Sequence, residues 1–210
     1  MKITSLININ SINLNETVKD KNDAINKLVD IMFKGGNIKD KELYKQAILE
    51  RENLSTTGIG NEIAIPHAKT SAVLNTGIAI MIVKDGVDYE ALDGENTKLF
   101  FMIGAPDTGE DEHLQVLSKL STLIMNPKFK DNILNATSPQ EVLNIIDSLE
   151  EEKFNTENKD VQENTSYDVL CVTACPTVLL WLLKPLKTKL KNVALKLKLK
   201  QMALVVLKMF

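Results

Sequence analysis

The stretch from Arg51 to Thr70 reads RENLSTTGIGNEIAIPHAKT and contains one of only two histidines in the 210-residue sequence. Pro66 has a fixed φ angle and keeps the residue before it extended. We therefore expect residues 62–66 to form a short strand, from whose end the His67 ring projects in a defined direction. This geometry predicts a functional histidine; the alternative is a histidine that closes a turn beside the strand.

The loop before this strand contains residue types that bind an anion. Gly58 and Gly60 permit positive φ angles and a close approach of the backbone. Hydroxyl and amide donors are available at Ser55, Thr56 and Thr57. Arg51, in the last turn of an expected helix, adds a guanidinium group that can bind phosphate oxygens in a bidentate manner. These residues suggest phosphoryl chemistry, although Arg51 also suits a surface ion pair.

The whole segment resembles the active-site segment of enzyme IIA of the fructose-mannitol family, part of the bacterial sugar phosphotransferase system. The resemblance covers residues 1–150 and includes ALDGENTKLFFMIGAP at 91–106 and EHLQVLSKLS at 112–121. It implies that His67 is the phosphorylated nucleophile, that His113 supports it, and that Arg51 stabilises the charge on the phosphate. The residue types alone leave a second interpretation for His113, as a helix-start residue with a local hydrogen bond.

The same resemblance implies a function. The chain would be a phosphotransferase that takes phosphate from the histidine-containing phosphocarrier protein and passes it to a cysteine of enzyme IIB. Sugar uptake, with fructose as the expected sugar, would then need a membrane permease acting in trans. No metal, cofactor or nucleic acid is implied. The alternative is a regulatory module of the nitrogen type, in which the phosphorylation state of His67 controls a partner protein. A histidine hydrolase or metal site lacks the motifs that support it.

Apolar periodicity predicts a layered α/β domain over residues 1–150. Extended segments are expected at 3–9, 12–14, 62–66, 77–83 and 99–104. Helices are expected before Gly35, from Asp40 to Arg51, from His113 to Pro127, over 128–136, and from Ser138 to Glu150. An apolar stripe on the helix that His113 opens should belong to the core, and it comprises Leu114, Leu117, Leu120, Leu123 and Ile124. The resemblance adds a mixed β-sheet flanked by helices on both faces.

Composition is typical of a globular protein, with 44% apolar and 25% charged residues. The N-terminal segment MKITSLININSINLN has no continuous apolar core, so we expect neither a signal peptide nor a membrane span, and a cytoplasmic location. The net charge of −3 conceals an asymmetry. Residues 178–210 carry eight lysines and no acid, so removing their charge of +8 leaves −11 for residues 1–177. The two parts of the chain therefore differ in the sign of their net charge.

The sequence after residue 150 predicts a flexible acidic linker and an incomplete second domain. Residues 151–166, EEKFNTENKDVQENTS, contain few apolar residues and a surplus of acids. Residues 167–177, YDVLCVTACPT, predict a strand that runs into a turn, and they resemble the start of a fructose-type enzyme IIB domain. The resemblance makes Cys175 the counterpart of the phosphorylated cysteine, whereas a small buried cysteine is the alternative.

The resemblance to enzyme IIB breaks at Val178, where the family has a glycine that begins a phosphate-binding loop. Residues 178–210 have the pattern of a basic amphipathic helix, which by itself would suggest a membrane surface or nucleic acid. We interpret them as a frameshift product. LWLLKP can be encoded by TTA TGG CTG CTG AAG CC, which in another frame contains ATG GCT GCT GAA GCC. That frame reads Met-Ala-Ala-Glu-Ala, which is similar to the family's continuation. Cys175 would then be vestigial, and the enzyme IIA domain would serve an intact enzyme IIB in trans.

Overall fold

The computed structural model describes residues 2–108 and 112–160. The strands in these ranges are β1 Ile12–Asn13, β2 Gly58–Gly60, β3 Ile63–Ala64, β4 His67–Lys69, β5 Gly77–Val87 and β6 Thr97–Ala105. The helices are α1 Lys21–Lys34, α2 Lys41–Leu54, α3 Glu112–Ile124, α4 Phe129–Leu134 and α5 Pro139–Asp160. The predictions for Cys175, for residues 167–177 and for residues 178–210 lie outside the described residues.

The strands form one mixed sheet in the order β1-β5-β6-β3-β2, and β4 also pairs with β6. β5 and β6 are antiparallel, whereas β3 and β4 both run parallel to β6. His67 begins β4 and is in register with Ile103. The sequence predicted a single strand ending at residue 66. Instead, Pro66 separates two short strands along β6, because proline has no N–H to donate to the ladder.

The two central strands bury both faces of the sheet. Alternate residues of β5 and β6 point to opposite sides, as expected for a period of two. One face packs against α1 and α2 through Ala79, Met81, Val83, Phe100 and Met102. The other face packs against α3, α4 and α5 through Ile78, Ile80, Ile82, Leu99, Phe101 and Ile103. The prediction of a mixed sheet with helices on both faces is therefore confirmed.

Local signals set the helix ends as the sequence predicted. The Asp40 side chain accepts a hydrogen bond from the Leu43 N–H at the start of α2, as an N-cap residue does. α1 ends at Gly35, and the following Gly36 has φ +80°, a conformation that favours glycine. The side chain of Ser138 accepts from the Glu141 N–H before α5. The caps place Arg51 in the last turn of α2.

The N-terminal segment differs from its prediction. Residues 3–9 were expected to be extended, but Thr4–Leu6 and Ile9–Ser11 form short 3-10 helices. The cause is tertiary: the Ile3 N–H donates to the Glu150 carboxylate on α5, and the Ile3 side chain is fully buried. A long-range contact of this kind overrides the local preference for extended backbone.

Two helical predictions also change. The buried residues of α3 are Val116, Leu120 and Leu123, whereas Leu114 is 46% exposed and so is not part of the core. Leu114 lies two positions before Val116, which places the two side chains on different faces of the helix. α5 extends to Asp160, so residues 151–160 of the expected linker are helical. Among the residues with described structure, no helix is long and apolar enough to cross a membrane.

Candidate active site

Three residues far apart in the sequence meet at the start of β4. Arg51 comes from the last turn of α2, and its Nε–H donates to Nε2 of His67 over 3.1 Å. His113 comes from the first turn of α3, and its ring centroid lies 5.3 Å from that of His67, with the rings tilted by 45°. The structure thus brings together His67, Arg51 and His113, the three residues that the family resemblance implied.

Hydrogen bonds determine which nitrogen of His67 can react. The Nδ1 atom lies 2.7 Å from the carbonyl oxygen of Ile65, which can only accept, so Nδ1 carries the proton. Nε2 then keeps its lone pair and accepts from Arg51. Burial lowers the pKa of His67 below 6.5, and the charge of Arg51 acts in the same direction, while the Ile65 carbonyl and Glu52 oppose it. His67 is therefore a neutral imidazole with Nε2 as the available nucleophile.

His113 has an unused hydrogen-bonding atom beside this nucleophile. Its Nε2 is buried and has no hydrogen-bond partner among the described residues. Burial lowers the pKa of His113 to about 4, and the positive charges of Lys69 and Arg51 and the His67 ring add to this effect. A buried polar atom without a partner is costly unless a ligand supplies one. The ring can therefore contact an oxygen of a group bound at His67.

An open cleft of about 500 Å³ gives access to these side chains. Its lining includes the cationic Lys69 as well as Arg51, and the complete set is Ala47, Glu50, Arg51, Leu54, His67, Ala68, Lys69 and His113. In the described part of the chain, no cluster of three or more histidine, cysteine or acidic residues could hold a metal ion. The cleft offers a nucleophile with cations around it, which suits a phosphoryl group.

The loop expected to supply three hydroxyl donors contributes only Ser55 to this site. Arg51 Nη1 donates to the carbonyl oxygen of Ser55 over 3.1 Å and to its Oγ over 3.2 Å. The Thr56 hydroxyl donates instead to the carbonyl oxygen of Tyr89. The N–H and the hydroxyl of Thr57 both donate to the Glu52 carboxylate. Of the three predicted hydroxyl groups, only that of Ser55 contacts Arg51, because the hydroxyl groups of Thr56 and Thr57 have partners elsewhere.

Sequence reasoning missed Glu52, which is only 7% exposed and lies next to Arg51. Besides Thr57, its carboxylate accepts from the Tyr89 hydroxyl over 3.0 Å and pairs with Lys21 Nζ at 3.1 Å. A signal was present in the sequence. Tyr44, Ile48 and Glu52 follow one another at intervals of four along α2, so an acid lies on the buried face of the helix.

Comparisons with known proteins identify the family. Residues 5–149 match the family described as "Phosphoenolpyruvate-dependent sugar phosphotransferase system, EIIA 2". The chain is 42% identical over 180 residues to the fructose-specific EIIABC component of Bacillus subtilis (strain 168), covering 84% of this chain and 28% of that protein. It is 38% identical over 144 residues to the fructose-specific EIIA component of Haloferax volcanii, covering 69% of this chain and 94% of that protein.

A solved structure gives the same result. The chain resembles enzyme IIA in the complex of enzyme IIAMTL and phosphorylated enzyme IIBMTL from Escherichia coli, with a TM-score of 0.57 and 29% identity. This similarity covers 66% of this chain and 95% of that one. The chain spans just over a quarter of the length of the Bacillus subtilis relative and nearly all of the Haloferax volcanii relative. It belongs to the EIIA 2 family of the phosphoenolpyruvate-dependent sugar phosphotransferase system, a family of phosphotransferase components.

Proposed function

We propose that Nε2 of His67 accepts a phosphoryl group from the phosphohistidine of the histidine-containing phosphocarrier protein and passes it to a cysteine of enzyme IIB. The observation that carries this proposal is the pair of hydrogen bonds on the His67 ring. The Ile65 carbonyl holds the proton on Nδ1, and the Arg51 guanidinium contacts Nε2 on the side of the open cleft. The nucleophile is therefore neutral and oriented before any donor binds, and the Arg51 N–H must turn from Nε2 to a phosphoryl oxygen as the N–P bond forms.

In the transfer step, a bond forms between His67 Nε2 and phosphorus while the bond from phosphorus to the donor histidine breaks. The proton on Nδ1 stays in its hydrogen bond to Ile65, and the electron pair of the broken bond returns to the donor ring. Arg51 and His113 lie where they can stabilise the charge on the phosphoryl oxygens. Because this chemistry needs little proton transfer, positioning and electrostatics supply most of the rate acceleration.

The names of the relatives support the choice of sugar and partners. Both the Bacillus subtilis and the Haloferax volcanii relatives are named fructose-specific, so we assign fructose as the sugar. The enzyme IIA in the Escherichia coli complex is bound to phosphorylated enzyme IIB, which supports an enzyme IIB domain as the acceptor. The sugar permease acts in trans, and the chain works in the cytoplasm, where the phosphocarrier protein is available.

Labelling with the phosphorylated carrier protein tests this function. The wild type should acquire one acid-labile phosphate, and His67→Ala should acquire none, because no other imidazole nitrogen replaces Nε2. Labelling that survives in His67→Ala, or its absence in the wild type, contradicts the proposal. Adding enzyme IIB and the permease should then release phosphate from His67. Retention of the phosphate would favour the regulatory alternative.

We also propose that residues 167–177 are a remnant of an enzyme IIB domain and that residues 178–210 are a frameshift product. The match to the Bacillus subtilis EIIABC component covers 84% of the 210 residues, about 176, and thus extends well beyond the family match at 5–149. This supports relatedness across residues 151–166 and into the region of Cys175. Sequencing the gene tests the frameshift: restoring the frame after residue 177 should yield an enzyme IIB-like continuation. Phosphocysteine at Cys175, found by mass spectrometry, would contradict the loss of function there.

A further inference from the structure

A buried carboxylate lies directly behind the proposed phosphoryl site. Glu52 is 7% exposed and follows Arg51 in the last turn of α2. Three donors are bonded to its two oxygens: the N–H and hydroxyl of Thr57 and the hydroxyl of Tyr89. Lys21 of α1 balances its charge at 3.1 Å. A buried carboxylate persists at such a position only when its partners offset the cost of removing it from water.

These contacts connect Glu52 to the nucleophile through a short series of residues. Glu52 binds Thr57 by both backbone and side chain, which restrains the segment that leaves α2. Ser55, two residues earlier in this segment, accepts both bonds from Arg51 Nη1. The Nε–H of the same guanidinium donates to His67 Nε2. The orientation of Arg51 therefore depends on where Glu52 holds the loop.

The charge of Glu52 also acts on the site. It raises the pKa of His67, partly opposing the effects of burial and of Arg51. Neither Lys21 nor Glu90 can replace Glu52 in restraining the loop behind Arg51. Lys21 lies on another helix, and its second acid partner, Glu90, is a largely exposed side chain. Glu52 is thus the one acid among these described residues that joins α1, α2 and the loop behind Arg51.

We propose that Glu52 is a positioning residue for phosphoryl transfer, acting through Thr57 and Ser55 to aim the Arg51 guanidinium at His67. This inference rests on the proposed function. Glu52 does not contact the phosphoryl group. Its effect is to keep the Arg51 guanidinium beside Nε2, from where it can turn to the phosphoryl oxygens with little reorganisation when the donor docks.

The test compares Glu52→Gln with the wild type, using the phosphorylated carrier protein as donor. Glutamine has nearly the same shape, but its NH₂ group cannot accept the bonds that the second carboxylate oxygen accepts. We expect kcat for phosphorylation of His67 to fall by about 10- to 100-fold per folded molecule. KM for the carrier should change by less than about threefold, because the docking surface is untouched. Glu52→Asp, which keeps the charge, should recover part of kcat.

A measurement on the unphosphorylated protein distinguishes positioning from a purely structural role. Nitrogen-15 NMR should show that Glu52→Gln shifts the Arg51 Nε resonance and lowers the pKa of His67. Glu42→Gln is the matched control, because Glu42 is an exposed acid in the first turn of the same helix. It should change neither value nor kcat. A lower melting temperature without changes in kcat, the Arg51 resonance and the His67 pKa would overturn the proposal.

A second variant keeps the proposal testable if Glu52→Gln does not fold. Thr57→Val removes the hydroxyl donor but retains the carboxylate and the Thr57 N–H bond, and kcat should fall by about 3- to 10-fold. An unchanged kcat in a folded Thr57→Val protein, with an unchanged Arg51 resonance, would overturn the proposal. The wild type is labelled in parallel. If the wild type acquires no phosphate on His67, the proposed function fails, and this inference fails with it. If the wild type is labelled and the folded variants have the same kcat as the wild type, this inference alone fails.

Discussion

The two sides of the active site differ in how their polar groups are satisfied. Arg51 belongs to α2, on the sheet face that packs against α1 and α2, and it donates to His67 and to two atoms of Ser55. His113 belongs to α3, on the opposite face, and its Nε2 has no partner among the described residues. His67 lies between them at the start of β4.

This difference suggests a division of labour. The Arg51 side is held by direct hydrogen bonds and sets the resting geometry of the nucleophile. The His113 side keeps a buried hydrogen-bonding atom available, at a cost to the free protein that a bound phosphoryl oxygen would offset. Because the two groups come from helices on opposite faces of the sheet, each can be substituted without changing the helix that carries the other.

The largest effect after loss of His67 should come from Arg51→Gln. This change removes the guanidinium that contacts His67 Nε2 over 3.1 Å. The rate of phosphorylation by the carrier should fall by about 100- to 1,000-fold, as when a preorganised charge-stabilising donor is lost. Stopped-flow or quench-flow labelling measures the rate, with Lys45→Gln on the same helix as a control for lost positive charge. A loss of less than about threefold would show that Arg51 does not set the geometry of transfer.

His113→Gln should have a smaller effect, a decrease of about 10- to 100-fold in the same rate. Glutamine can still contact a phosphoryl oxygen, but its amide is not held where the imidazole Nε2 lies. A decrease equal to that of Arg51→Gln would contradict the unequal roles inferred for the two sides. The rates of both variants should be compared at one carrier concentration well above KM.

The pH dependence of stability provides an independent check on the buried His113. Its pKa is lowered from 6.5 to about 4, so between these pH values the unfolded chain binds a proton that the folded chain does not. Stability from this group is complete above pH 6.5 and is lost as pH falls to about 4. As the pH falls from 6.5 to about 4, the free energy of unfolding should therefore decrease less steeply in His113→Gln than in the wild type. The free energy of unfolding is measured at each pH by denaturant titration. Equal slopes of this free energy against pH in the two proteins would contradict the burial of this ring.

The smallest effects should come from two exposed leucines, one on each side. Leu54 ends α2 and is 82% exposed, whereas Leu114 follows His113 and is 46% exposed. Exposed apolar side chains beside a reactive group suit contact with a protein donor. Leu54→Ser and Leu114→Ser should each raise KM for the carrier by about 3- to 10-fold with kcat unchanged. Met125→Ser is the matched control, because Met125 is also an exposed apolar residue, with 73% of its surface accessible. A fall in kcat would show that these residues act on the chemistry instead.

Sequence patterns were reliable where the physical cause is local. The caps at Asp40 and Ser138, the stop at Gly35 and the apolar runs of β5 and β6 all depend on neighbouring residues. The prediction of an extended segment at residues 3–9 was wrong because the hydrogen bond from Ile3 to Glu150 joins segments 147 positions apart. The prediction that Leu114 belongs to the core was wrong because the sheet against which α3 packs decides which face of this helix is buried.

The sequence by itself determined the reactive residue types, their order along the chain and the proline that precedes His67. It also marked Arg51, which is the only arginine in the chain. Only the tertiary structure decided that Arg51 and His113 reach His67 from opposite faces, and that Nε2 is the unprotonated nitrogen. It alone brought the donors of Thr57 and Tyr89 to Glu52. The reason is physical: these contacts join distant segments, so they depend on strand register and helix packing, which no local pattern encodes.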